Sequence, residues 1–130
     1  MKCLVVDDEA LARERLRRLL EAIEGVDVCG EAANGREALL QADALSPDVI
    51  FLDEPTSGVD PLSRRNFWRM IRRLAAAGTT IFVTTHFMDE AEELCDRIAV
   101  IDQKRVAAID TPDGLIERVD GGVTVTFSTD

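Results

Sequence analysis

The chain has 130 residues, of which 46% are hydrophobic and 31% charged, and it carries a formal net charge of -10 with an isoelectric point near 4.5. These values predict one globular domain over residues 1–130 and exclude nucleic acid as a partner, because phosphate binding needs clustered Lys and Arg. No apolar run reaches the ~20 residues that cross a bilayer and no signal peptide opens the chain, so we predict a cytoplasmic protein with no membrane partner.

The first half of the chain alternates strand and helix signals. Short apolar runs predict buried strands at Cys3–Val6, Val26–Cys29 and Val49–Leu52. Apolar residues with a helical period predict the buried face of a helix over 11–24: Ala12, Leu16, Leu19, Leu20 and Ile23. Asn34 and Glu37 have the spacing of a capping box, which predicts a second helix that runs to about Leu45 and is broken by Ser46 and Pro47.

The second half continues this alternation and then departs from it. Asp60-Pro61 predicts the start of a helix that Gly78 ends. The next elements are predicted as a strand at Thr80–Thr84, a helix at Asp89–Cys95 and a strand at Ile98–Ile101. The strand Arg105–Ile109 follows too closely for a parallel crossover, so it must form an antiparallel hairpin. A short helix over 111–119 and an edge strand at Val123–Phe127 complete the prediction.

This order predicts an α/β three-layer sandwich. Its core is a flavodoxin-like parallel sheet of order 2-1-3-4-5, to which the C-terminal hairpin and edge strand are added. Strands one and three are neighbours in that sheet, and their carboxyl ends carry Asp7, Asp8 and Asp53. Because three carboxylates repel one another and Mg²⁺ prefers carboxylate oxygens and water, we predict a Mg²⁺ site made of these residues.

The first part of the chain resembles a bacterial response-regulator receiver domain of the kind found ahead of LytTR-type DNA-binding domains. The likeness lies in the segments 4–9 (LVVDDE), 31–35 (EAANG) and 47–53 (PDVIFLD). It implies that Asp7 and Asp8 hold Mg²⁺ and that Asp53 is the phospho-acceptor. Thr84 takes the place of the Thr or Ser that receivers have at the end of the fourth strand.

One position departs from the receiver pattern. Receivers have a lysine at the end of the fifth strand, where it pairs with the phosphoryl oxygens. Ile101 or Asp102 stands there in this chain, and Lys104 is expected in the hairpin turn. Glu54 adds a negative charge beside Asp53, so we expect weakened phosphoryl transfer.

The chain from about Asp48 to Val119 resembles the second half of an ABC-transporter ATPase. The segment 52–61 (LDEPTSGVDP) is similar to a Walker B motif and D-loop, and 84–86 (TTH) with the residues after it to a switch-histidine loop. The likeness implies roles for Asp53, Glu54 and His86 in Mg²⁺ binding, water activation and γ-phosphate sensing. The chain has no G-x-x-x-x-G-K-[ST] phosphate loop and no signature motif before Walker B. We therefore expect no bound nucleotide, no enzymatic activity and a solvated His86.

These likenesses meet at Asp53 and predict an engineered chimera with no complete native activity. Residues 1–50 would derive from a receiver and residues 51–130 from an ABC ATPase. The Mg²⁺-binding group of Asp7, Asp8 and Asp53, called the acidic corner below, would remain. Two alternatives stay open: a residual Mg²⁺-dependent phospho-receiver with Asp53 as acceptor, and an oligomerising binding module. No partner is predicted beyond a monomer or a weak homodimer.

Overall fold

The computed structural model describes residues 1–120, which fall into two compact units that meet in sequence between Thr84 and Thr85. The first unit contains β1 (Lys2–Val6), α1 (Ala10–Glu21), β2 (Asp27–Ala32), α2 (Gly35–Leu45), β3 (Val49–Asp53), α3 (Pro61–Ala76) and β4 (Thr80–Thr84). The second contains α4 (Met88–Leu94), β5 (Ile98–Asp102), β6 (Arg105–Asp110) and α5 (Pro112–Asp120). The edge strand predicted at 123–127 lies outside the described residues.

The first unit is built on a four-stranded parallel sheet of order β2-β1-β3-β4. Its inner strands are apolar on both faces, and Leu4, Val5 and Ile50 are fully buried. The helix α1 packs on one face through Leu20, which clusters with Val5 and Val28. Consecutive side chains of a strand point to opposite faces, so Leu4 lies on the other face of the sheet. On that face Leu4 and side chains of α2 surround Gly30. The α/β class and the flavodoxin-like sheet are therefore confirmed.

The fifth strand differs from the predicted order. The structure pairs β5 with β6 in a separate antiparallel sheet, so the parallel sheet ends at β4. All residues of β5 have partners in β6. Gln103 and Lys104 close the hairpin with positive φ angles of 48° and 62°. Such a short turn brings two strands together at a small cost in chain entropy, whereas a parallel pairing needs a long crossover.

The buried face of α1 is narrower than predicted. Leu20 is buried, but Leu19 is 63% exposed. Ile23, which was predicted on the same face, is 54% exposed and lies outside the helix, because α1 ends at Glu21 rather than at Glu24. A helix that rests on a sheet buries only the centre of its apolar stripe, and α1 makes its main contacts with β1 and β2. The second unit has its own small core, in which Leu115 of α5 contacts Ile98, Val100 and Ala91. None of the helices in residues 1–120 is long and apolar enough to span a membrane.

The predicted helix ends are confirmed at α2 and α3. Asn34 accepts a hydrogen bond from the Glu37 N–H at 2.9 Å, and the Glu37 carboxylate accepts one from the Ala33 N–H at 2.9 Å. The Asp60 carboxylate accepts the Ser63 N–H at 3.1 Å, and Pro61 follows at the first helical position. These caps satisfy N–H groups that have no partner inside a helix. They fix where α2 and α3 leave the carboxyl edge of the sheet.

Candidate functional site

The carboxyl edge of the first unit's sheet gathers the predicted acidic residues. β1 and β3 are parallel neighbours whose last paired residues are Val6 and Leu52. Asp7 and Asp53 are the next residues along each strand, so they leave the sheet side by side. Asp8 follows Asp7 in the loop before α1. The topology therefore brings together the three carboxylates that the sequence assigned to one corner.

Asp7 is the most perturbed of these acids. Burial is the main cause that raises the pKa of its carboxyl group from 3.8 to about 6. A hydrogen bond from the Glu9 N–H, 2.9 Å from Asp7 Oδ1, opposes this rise, while contacts with the carboxyl groups of Asp8 and Asp53 add to it. The Arg13 guanidinium bonds the backbone oxygen of Asp7 at 2.8 Å rather than its carboxylate. The Asp7 side chain thus faces other acids at close range.

Asp53 is exposed at the end of β3 and faces Thr84 across the β3–β4 pair. The Thr84 hydroxyl donates a hydrogen bond to Asp53 Oδ1. The backbone continues this pairing, because the Glu54 N–H donates to the Thr84 carbonyl oxygen at 2.9 Å. The Thr that the receiver likeness assigned to the fourth strand therefore contacts the predicted phospho-acceptor.

Glu54 adopts an unusual backbone conformation directly after the acceptor. Its φ angle is 45°, a left-handed value that residues other than Gly, Asn and Asp rarely adopt. The chain turns there and leaves the sheet for the loop before α3. The half-buried Glu54 side chain stays beside the corner. This conformation was not predicted, because glutamate has no preference for it.

The acidic corner opens into a cleft of about 1030 Å³. Its walls come from the loops after β1, β2 and β3, and they include Asn34 and Gly35 at the start of α2 and Phe67 and Met70 of α3. Arg36 is the basic residue among the lining residues. Sequence reasoning missed this wall. Periodicity does not show whether a half-buried ring such as that of Phe67 fills a core or lines a cleft.

The donors at this corner suit a hard cation. Every candidate ligand is a carboxylate oxygen, the ligand type that Mg²⁺ and Ca²⁺ prefer. Within residues 1–120, no group of three Asp, Glu, His or Cys side chains is already arranged around a common metal position. An ion held by one or two carboxylates and several water molecules is the usual arrangement for Mg²⁺. The residues present therefore fit Mg²⁺ better than a cation that needs a complete protein cage.

His86 lies in the second unit. Its ring is exposed and packs against Phe87, with ring centroids 4.1 Å apart. Lys104 lies in the β5–β6 turn, as expected, and β5 ends at Asp102 where receivers have lysine. The first unit thus assembles Asp7, Asp8, Asp53, Glu54 and Thr84.

Comparison with known proteins identifies the family that shares this arrangement. Residues 3–102 match the family model described as the response regulator receiver domain. The chain belongs to this family. The receiver domain of Thermotoga maritima CheB has the same fold, with a TM-score of 0.58 over 95% of this chain and 98% of that one at 21% identity.

The same receiver-family chain is also similar to ABC-transporter ATPases. It is 45% identical over 117 residues to the daunorubicin resistance ATP-binding protein DrrA2 of Streptomyces coeruleorubidus, which covers 85% of this chain and 36% of that protein. The structure of an ATP-binding subunit of an ABC transporter matches at 28% identity with a TM-score of 0.55, over 67% of this chain and 36% of that one. The chain thus spans about a third of the length of these ATPases. The double likeness predicted from the sequence is confirmed.

Proposed function

We propose that the chain is an engineered chimera whose acidic corner binds Mg²⁺ without the complete machinery of either parent family. The observation that carries the proposal is the convergence of Asp7, Asp8 and Asp53 at the carboxyl ends of β1 and β3. A divalent cation at this corner would offset the repulsion between carboxylates. The chimeric origin is supported by the likeness of this one chain to both families. A natural genome that encodes this reading frame without interruption would overturn the engineered origin.

The phosphate-binding groups of both parents are incomplete in this chain. The sequence has no glycine-rich phosphate loop, which supplies the N–H groups and the lysine that hold ATP phosphates. The fifth strand ends with Asp102, so a carboxylate stands where a receiver has its phosphoryl-binding lysine. Glu54 adds negative charge next to Asp53. These features favour cation binding over phosphoryl transfer and over ATP hydrolysis.

A Mg²⁺ titration followed by amide NMR tests the proposal. We expect saturable shifts at residues after β1 and β3, and loss of saturation in Asp8→Asn and Asp53→Asn. Asp43→Asn is the matched control, because it removes the same charge from an exposed position on α2 that does not line the cleft. Equal shifts in all variants would indicate non-specific screening and refute a Mg²⁺ site. Addition of ATP in the presence of Mg²⁺ should cause no further saturable change.

A residual phospho-receiver is the second candidate, and the contact between Thr84 and Asp53 favours it. In this reaction an Asp53 carboxylate oxygen attacks the phosphorus of a small donor, and the bond from phosphorus to the leaving group breaks. The Thr84 hydroxyl would then donate a hydrogen bond to a phosphoryl oxygen. Beryllofluoride with Mg²⁺ is the probe, because it mimics the phosphorylated carboxylate without turnover.

The phospho-receiver predicts shifts at Thr84 that need both Mg²⁺ and beryllofluoride. Asp53→Asn should abolish the response to beryllofluoride, and Thr84→Val should weaken it while leaving the Mg²⁺ response intact. If Mg²⁺ binds but beryllofluoride causes no change, the acidic corner is a metal site alone. If neither reagent has an effect, both proposals for this corner are refuted.

A further inference from the structure

Within residues 1–120, β4 is the last strand of the first unit's sheet, and β3 is the one strand with which it pairs. Its inner edge is paired with β3: the Thr80 N–H donates to the Asp48 carbonyl oxygen at 3.0 Å, and the Thr84 carbonyl oxygen accepts from Glu54. Backbone groups alternate in direction along a parallel strand. The N–H and C=O groups of Ile81 and Val83 therefore point away from β3, to the outer edge of this sheet.

This edge lacks the features that normally keep edge strands apart. Proteins protect such edges with charged residues, proline or bulges. The sequence of β4 is Thr80-Ile81-Phe82-Val83-Thr84, which contains neither charge nor proline, and its register with β3 is regular. Phe82 is 56% exposed, although its ring lies 5.4 Å from that of Phe51. An exposed aromatic residue thus stands at the centre of an uncharged, apolar edge.

The sequence of β4 is also nearly symmetric about Phe82. Threonine stands two residues away on each side, and a β-branched aliphatic residue stands one away on each side. An antiparallel pair related by a two-fold axis matches each residue with its mirror position. Ile81 would then lie opposite Val83 of the second copy, and Phe82 opposite Phe82 of the second copy. Because this edge is uncharged, self-pairing brings no like charges together.

We infer that β4 is a self-association edge that pairs antiparallel with β4 of a second copy of this chain, with the two-fold axis at Phe82. The outward groups of Ile81 and Val83 form the hydrogen-bonded pairs, and Phe82 forms the closer pair between them. A cross-strand aromatic pair adds to the pairing energy. The two sheets join into one, and the acidic corner takes no part. The inference therefore does not rest on Mg²⁺ binding.

The association is expected to be weak. A short strand pair buries less than a standard protein interface, and each copy carries a net charge of -10. Sedimentation measurements should cover protein concentrations from about 10 μM to about 1 mM at ~0.15 M salt, where long-range repulsion is screened. We expect a concentration-dependent monomer–dimer equilibrium. Amide hydrogen exchange at Ile81 and Val83 should slow as the dimer forms.

Two charge variants test the position of the axis. Phe82→Lys and Phe82→Glu each place like charges directly opposite one another in the pair and remove the aromatic contact, so each should raise the dissociation constant at least ~10-fold. An equimolar mixture of the two should restore dimers, because the opposed charges then attract. Phe82→Lys also reduces the net negative charge of each copy, so general repulsion does not explain its effect.

Val106→Lys is the matched control. Val106 has the same 56% exposure but lies on β6, so the same substitution there should leave the dimer unchanged. A wild-type monomer up to 1 mM overturns the inference. Dimers that survive Phe82→Lys but not Val106→Lys place the interface on β6 and overturn it too. Slow exchange at Ile81 and Val83 in a monomer means that another segment of the same chain covers the edge, which also overturns it.

Discussion

Replacement of Asp7 by Asn should stabilise the protein in the absence of divalent cations. Asn removes the charge from a half-buried site that faces two other acids, and its side-chain oxygen can still accept the Glu9 N–H. The pKa of Asp7 rises from 3.8 to about 6 on folding, a difference of about two units. Two units correspond to ~3 kcal/mol, which solvent screening at a half-buried site reduces to about 1–2 kcal/mol.

The gain in stability from Asp7→Asn should depend on pH. Between pH 3.8 and about 6 the folded protein keeps a proton that the unfolded chain releases, so stability falls as the pH rises through this range. The contribution of Asp7 is therefore fully unfavourable above pH 6 and absent below about 3.8. The free energy of unfolding of Asp7→Asn should exceed that of wild type at pH 7.5, and the difference should shrink towards pH 4.

Urea denaturation at several pH values, with and without Mg²⁺, measures this difference. Mg²⁺ at ten times its dissociation constant should stabilise wild type by ~1.4 kcal/mol and Asp7→Asn by less, which narrows or reverses the order. Asp43→Asn should neither raise the free energy of unfolding at pH 7.5 nor show a difference from wild type that changes with pH. A destabilised Asp7→Asn at pH 7.5 without Mg²⁺ would refute the reasoning, because it would mean that the charge of Asp7 is favourably paired.

Three further predictions concern α2 and the sheet, each measured by urea denaturation at pH 7. Ser46 ends α2 with a left-handed φ of 46°, so Ser46→Gly should raise stability by about 0.5–1 kcal/mol, and Ser46→Val should lower it. Asn34→Ala removes the bond to the Glu37 N–H and should cost ~1 kcal/mol, whereas Asn34→Asp should cost little. Ile50 is fully buried, so Ile50→Ala should cost about 2–5 kcal/mol and Ile50→Val about 0.5–1.5, and equal effects would contradict a tightly packed core.

The features predicted correctly from the sequence are those set by local chemistry and by general rules of topology. The caps at Asn34 and Asp60 follow from side chains that reach N–H groups three residues away. The 2-1-3-4 order follows from the flavodoxin-like fold class, and the meeting of Asp7 with Asp53 follows from the adjacency of β1 and β3 in that order. These constraints act over short distances or hold for nearly all α/β proteins.

The features that were missed depend on which surfaces meet in three dimensions. The exposure of Leu19 depends on how much of the α1 stripe the sheet covers, which periodicity does not report. The hairpin of β5 with β6 is local, but the apolar pattern of β5 does not show whether its other edge also joins the parallel sheet. The left-handed Glu54 is held by the turn that leaves β3, and its own side chain gives no signal. These outcomes depend on tertiary contacts, which the residue pattern does not report.

The division of the chain between a parallel sheet and a hairpin has a consequence for the kinetics of folding. The β5–β6 hairpin closes through Gln103 and Lys104, and isolated hairpins form in about 1–10 μs. The pairing of β1 with β3 joins residues such as Lys2 and Asp48, which are 46 positions apart, and sheets with such distant contacts form in milliseconds to seconds. The chain should therefore fold in two phases. During the slow one, uncharged strands such as β4 are transiently exposed, so rapid dilution from denaturant at high protein concentration should favour aggregation.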